Sequence, residues 1–126
     1  MSEVLITSGL IQVTLAVLIG WPLAMLYSGM EKVGPLRHAK RLLQYHLDNV
    51  FMGILQMVIA TVFPAIPVGA AILLLIGSWT NPFPFLLMAM SRKPVAEQTG
   101  MRRFSILSFL IITPAYLWLL AAWLTR

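Results

Sequence analysis

The chain is 126 residues long, 60% hydrophobic and 10% charged, with a formal net charge of +5 and no cysteine. Soluble domains carry about 25% charged residues, and a small soluble fold has too much surface for its volume to hide so much apolar side chain. The length allows a single domain over residues 1–126, lipid is its natural solvent, and disulfides and thiolate metal sites are excluded.

The first apolar segment runs from about Val4 to Met30 and carries no charge, although about 20 residues suffice to cross a bilayer. Glu3 and the lack of Lys or Arg before it argue against a secretory signal, so the segment is expected to remain as a helix. Pro22 reads as a tolerated kink, and Trp21 and Tyr27 as interfacial aromatics. Gly34-Pro35 breaks the chain. A second helix is expected over about Leu36–Phe63, basic at its start and apolar in its body, ending in a short uncharged turn between Pro64 and Pro67. The third segment covers about Val68–Met90 and is rich in Gly, Ala and Ser. Pro82 and Pro84 each remove a backbone donor, which predicts a kink or break after Asn81. A polar loop over Ser91–Arg103 leads to a fourth segment, about Phe104–Leu124, with Pro114 in its middle.

Lys32, Arg37, Lys40 and Arg41 form one basic cluster and Arg92, Lys93, Arg102 and Arg103 another; only Arg126 lies elsewhere. Four crossings put both clusters on one side. The positive-inside rule then makes this an all-α polytopic four-helix bundle with its N and C termini outside, expected in a bacterial inner membrane. The clusters read as topology determinants and phospholipid contacts. Nucleic acid is not an expected partner, because no aromatic-interleaved basic groove is visible.

Polar groups within a membrane segment are costly and mark candidate sites. His46, Asn49, Gly53, Gln56 and Ala60 are spaced three, four, three and four apart and share one helical stripe. That stripe suits either a wall against a flat ligand or a helix–helix seam bonded through its amides. Asp48 points elsewhere and shares a face with Arg41 and Tyr45, which allows an ion pair along the surface. His38 sits in the basic helix start and reads as a surface residue, whereas an embedded imidazole such as His46 suits either an axial haem bond or hydrogen-bonded packing. No zinc motif, phosphate-binding Gly loop or nucleophile triad is readable. The eight Met residues and Phe83-Pro84-Phe85 read as packing or lipid-facing positions.

Three stretches carry a resemblance to a known family. They are His46 followed by Gly53 and Pro64 across an apolar run, Trp79-Thr80-Asn81, and Ser108-Phe109-Leu110 followed by Pro114-Ala115-Tyr116-Leu117. In their order and spacing, from about Leu42 to the C-terminus, they resemble the styrene oxide isomerases, four-helix membrane proteins that bind haem b and rearrange epoxides to aldehydes. The resemblance implies that His46 is the axial ligand to haem iron and that Gly53 lies at the cofactor. It implies a small lipophilic substrate and a homotrimer. The family's substrate-orienting asparagine, aspartate and tyrosine align with Met52, Gly77 and Phe85, all apolar. Asn49, one turn before Met52, and Asn81 are therefore the candidate catalytic amides. Three functions stay open: a haem b isomerase, a non-catalytic or electron-transfer haem subunit, and a haem-free membrane helper protein.

Overall fold

The computed structural model describes residues 1–94, 97–98 and 101–126, apart from the side chain of residue 102. All regular structure among them is helical: α1 over Ser2–Tyr27, α2 over Ala39–Val62, α3 over Val68–Thr80, α4 over Phe83–Met90 and α5 over Arg102–Leu124. Three stretches are long and apolar enough to cross a membrane, Ser2–Tyr27, Val68–Met90 and Arg103–Leu124. α2 is the polar exception. It carries Lys40, Arg41, Gln44, His46, Asp48, Asn49 and Gln56, and Asn49 and Gln56 are both fully buried.

α1 and α2 run antiparallel and pack through glycine. A Cβ on Gly53 would stand 2.7 Å from Val13 Cγ2 and 2.8 Å from the Gly9 carbonyl oxygen. α3 and α5 form a second antiparallel pair, with Gly77 against Ile112, Gly69 under Trp118 and Thr80 hydrogen-bonded to Ser108 at 3.1 Å. Small residues thus let backbones approach where lipid gives little hydrophobic drive for helices to associate. One apolar cluster joins Leu5, Ala60, Ala71, Leu74 and Leu119 near the chain ends, and another joins Leu23, Leu26, Leu42, Tyr45 and Ala89 at the opposite end.

The loops follow local chemistry. Val33 and Leu36 exchange backbone hydrogen bonds of 2.9 and 3.0 Å around Gly34-Pro35, and Gly34 takes φ +57°, which favours glycine. The two basic loops meet. The Arg37 and His38 N–H groups both donate to the Ala89 carbonyl, at 2.8 and 3.2 Å, and the His38 Nε2–H donates to the Ser91 carbonyl at 2.8 Å. Arg41 donates to Gln98 and to Gln44, each at 3.1 Å. Asp48 makes no hydrogen bond or ion pair among the described residues, so the ion pair with Arg41 allowed by the sequence does not form: Arg41 reaches nearer amide oxygens instead.

The third segment is two helices. Pro82 has no N–H, so the chain turns at Asn81 and Pro82 and α4 restarts with the Phe85 N–H donating to the Pro82 carbonyl at 3.0 Å. α5 continues through Pro114 and α1 through Pro22.

Gly53→Leu and Gly77→Leu each overfill a closed helix crossing and are expected to lower stability by about 1–3 kcal/mol, while Leu110→Val on the exposed face of α5 stays within about 0.5 kcal/mol. Loss of helicity in a denaturing-detergent titration measures all three, and equal midpoints would exclude glycine packing as the organising contact.

Candidate functional site

The polar interior begins with Gln12, a lone amide in an otherwise apolar helix. A helical N–H at residue 82 would donate to the Ser78 carbonyl, but Pro82 has none to give. The Gln12 Nε2 group takes its place at 2.7 Å and also donates to Asn49 Oδ1 at 3.0 Å. Gln12 Oε1 accepts from Gln56 Nε2 at 2.7 Å, and Asn49 Nδ2 donates to the Tyr45 carbonyl at 2.8 Å. Gln12, Asn49, Gln56 and Ser78 are all 0% exposed. Nearby, Trp79 Nε1 donates to Ser8 Oγ at 2.8 Å. This cluster ties α1, α2 and α3 together just where α3 stops.

The stripe on α2 is therefore a seam against α1. Asn49, Gly53, Gln56 and Ala60 are buried there against α1, and only the His46 end of the stripe stays partly exposed. Asn49 uses both ends of its carboxamide within this cluster. Gly53 serves close packing of α1 against α2.

His46 lies at the edge of the same seam and is half-buried. Its Nδ1 sits 2.7 Å from the Ala16 carbonyl oxygen. A carbonyl can only accept, so Nδ1 carries the proton and, in the neutral ring, Nε2 holds its lone pair free. That nitrogen has no hydrogen-bond partner among the described residues. Gly20 lies alongside, where even an added Cβ would be 3.7 Å from the imidazole Cε1. An imidazole oriented by a carbonyl on one nitrogen, with the other nitrogen unbonded, is the arrangement that ligating histidines adopt. His38 is the reverse case, since its Nε2–H is held by Ser91. No group of three or more His, Asp or Glu side chains converges among the described residues.

Asn81 belongs to a different place. α2 and α5 barely touch, and the gap between them holds a cavity of about 370 Å³ lined by Gln44, Asp48, Asn81, Phe85 and Phe109 among others. A second cavity, of about 430 Å³, shares Asn81 and Phe109 and adds Met52, Ile112 and Tyr116. Asn81 is 9% exposed, and its side-chain amide makes no hydrogen bond among the described residues. The Tyr116 hydroxyl is buried and equally without a partner. His46 lines neither cavity, so Asn81 and His46 are not brought together within one chain. The residues at 44, 48 and 52 that line the gap lie across α2 from His46 by helical geometry.

Gln12 was not singled out by spacing, because one amide in an apolar run has no periodicity. Its signal was chemical: an uncharged polar group inside a spanning helix needs a partner. Gln12→Leu strips donors or acceptors from Asn49, Ser78 and Gln56 at once and is expected to destabilise the fold by about 3 kcal/mol. Gln56→Leu orphans only Gln12 Oε1 and should cost about 1 kcal/mol. Detergent unfolding of both variants checks the order, and a Gln12 variant as stable as the parent would remove the cluster from its central role. Compared with known proteins, the chain matches no family model, no curated protein and no solved structure.

Proposed function

We propose that this chain is a haem b membrane protein resembling the styrene oxide isomerases, with His46 as axial ligand, acting on a small lipophilic epoxide. The observation that carries the reading is the His46 ring: Nδ1–H donated to the Ala16 carbonyl at 2.7 Å, Nε2 without a partner. That fits the donor set a haem iron requires of a single imidazole. When bound, haem b supplies a Lewis acid for opening an epoxide toward its carbonyl isomer. The chain's own residues orient the ligand and exclude water. The Ala16 carbonyl fixes the tautomer and the orientation of the ring. Gly20 lies beside the ring, where an added Cβ would make ordinary contact at 3.7 Å with Cε1, and apolar Val17 and Trp21, next along α1, are exposed. Because His46 stands at the margin of α1 and α2 and not over an internal cavity, the far wall of its site falls to a second copy. A homotrimer follows as part of the proposal.

A second reading, a non-catalytic or electron-transfer haem subunit, draws on two observations. Met52, Gly77 and Phe85 are apolar where the family orients substrate, and Asn49 is bonded inside the bundle. The third, a haem-free helper, is the outcome in which the parent protein takes up no haem.

His46→Ala is expected to lower the haem-to-protein ratio about tenfold while leaving the helical content intact. His38→Ala should leave the ratio nearly unchanged, since Ser91 already holds its Nε2–H. Purification after growth with added haem measures both, and equal haem in the His46 variant and the parent would sink the assignment.

We propose four crossings with both termini outside. The two basic loops lie at one end of the bundle, joined through Ala89 and Ser91, and the positive-inside rule puts that end in the cytoplasm of a bacterial inner membrane. Reporter fusions after Arg126 should be active outside and fusions within 91–94 inside; the opposite pattern would invert the topology.

A further inference from the structure

The cleft between α2 and α5 is more than loose packing. Its two cavities, of about 370 and 430 Å³, meet at Asn81 and Phe109. A third, of about 290 Å³, shares Tyr116 and Leu120 with the second and reaches Phe63 and Trp123 at the end near the chain termini. The chain of cavities therefore follows α5 through much of its length. Its walls are apolar except at a few points. Asp48 and Gln44 stand toward the basic loops, Asn81 is in the middle, and the Tyr116 hydroxyl is beyond it.

Two of these groups are unsatisfied. The Asn81 carboxamide forms no hydrogen bond among the described residues although the residue is 9% exposed. The Tyr116 hydroxyl is buried without a partner. In the α1–α2 seam Gln12 and Asn49 use both ends of their amides, while Gln56 Oε1 and Ser78 Oγ are buried there without a partner but border neither of the two larger cavities. A polar group buried without a partner costs about 1–3 kcal/mol, and the Tyr116 hydroxyl is one such group; the Asn81 carboxamide, unbonded on the wall of both larger cavities, is placed to pair with a ligand there. A plain alkyl chain leaves both unpaired. Both groups can donate, Asn81 through Nδ2 and Tyr116 through its hydroxyl, and a carbonyl or ether oxygen, which only accepts, is a group that either can hold. Asp48 lines the first cavity without a hydrogen bond or ion pair among the described residues, and its carboxylate disfavours an anionic head group.

We infer that the α2–α5 cleft binds an elongated neutral lipophile through an acceptor oxygen, a carbonyl or ether, held by Asn81 and Tyr116. The site lies across α2 from His46 and does not depend on the haem reading.

The probe is a medium-chain 2-alkanone carrying a diazirine, photolysed with the purified full-length protein and mapped by mass spectrometry. Labelling is expected at cleft residues such as Phe109 and Leu117, saturably, and 2-undecanone should compete about tenfold better than undecane and undecanoate, a margin equal to one net hydrogen bond. Asn81→Leu removes the anchor without breaking a bond of the fold, and Tyr116→Phe removes only a hydroxyl. Each is expected to weaken the ketone about tenfold and leave undecane unchanged. Equal competition by ketone and alkane would overturn the proposal by making the cleft a groove for acyl chains, as would tighter binding of undecanoate or unchanged ketone affinity in a folded Asn81→Leu. If that variant does not fold, unchanged affinity in Tyr116→Phe overturns it alone.

Discussion

Where proline enters a helix, the carbonyl four residues earlier loses its donor, and in hydrocarbon no water replaces it. Ser78 and Pro82 stand in that relation here. The side chain of Gln12, 66 residues away in sequence, supplies the missing N–H. That substitution sets much else. It brings α1 against the end of α3 and holds the turn at Asn81. It also recruits Asn49 and Gln56 to satisfy the rest of the amide, which in turn gives α2 a polar inner face.

The same arrangement separates two kinds of polar residue. Gln12, Asn49 and Gln56 are bonded among themselves, Gln56 through its Nε2 alone, and specify which helices meet, as interhelical amides do in membranes. His46, Asn81 and the Tyr116 hydroxyl each keep a polar atom that the fold does not use. Two of these border one cleft and the third faces away from it across α2. Two faces of α2 are thereby given different chemistry, an oriented imidazole on one and an apolar channel with hydrogen-bond donors on the other.

How much of this was legible in the sequence depended on how local the cause was. Proline and glycine act on their own backbone, so Gly34-Pro35, Pro64 to Pro67 and Pro82 mark the places where helices end. Periodicity put His46, Asn49, Gly53 and Gln56 on one face, but it could not say whether a helix or a ligand would meet that face, and helix α1 does. Arg41 and Asp48 were compatible by spacing, yet Gln44 and Gln98 compete for the guanidinium, and residue 98 is far along the chain. The tautomer of His46 is set by a carbonyl 30 residues earlier. The cleft exists because α2 and α5 stay apart, a property of neither helix. Its donors were visible only as letters, Asn81 in one motif and Tyr116 in another, with nothing to show that they border one space.

The polarity of α2 also bears on how the protein is made. Alone among the long helices it does not qualify as a membrane span by length and composition, and a nascent segment carrying Asp48, Asn49 and Gln56 partitions poorly into lipid by itself. Asn49, Gln56 and His46 have partners on the helix that precedes it in the chain, through Gln12 and Ala16, next to the glycine crossing at Gly9. In the proposed four-crossing arrangement, α2 would therefore enter the bilayer together with α1 as one hairpin, with α1 as the template for its neighbour.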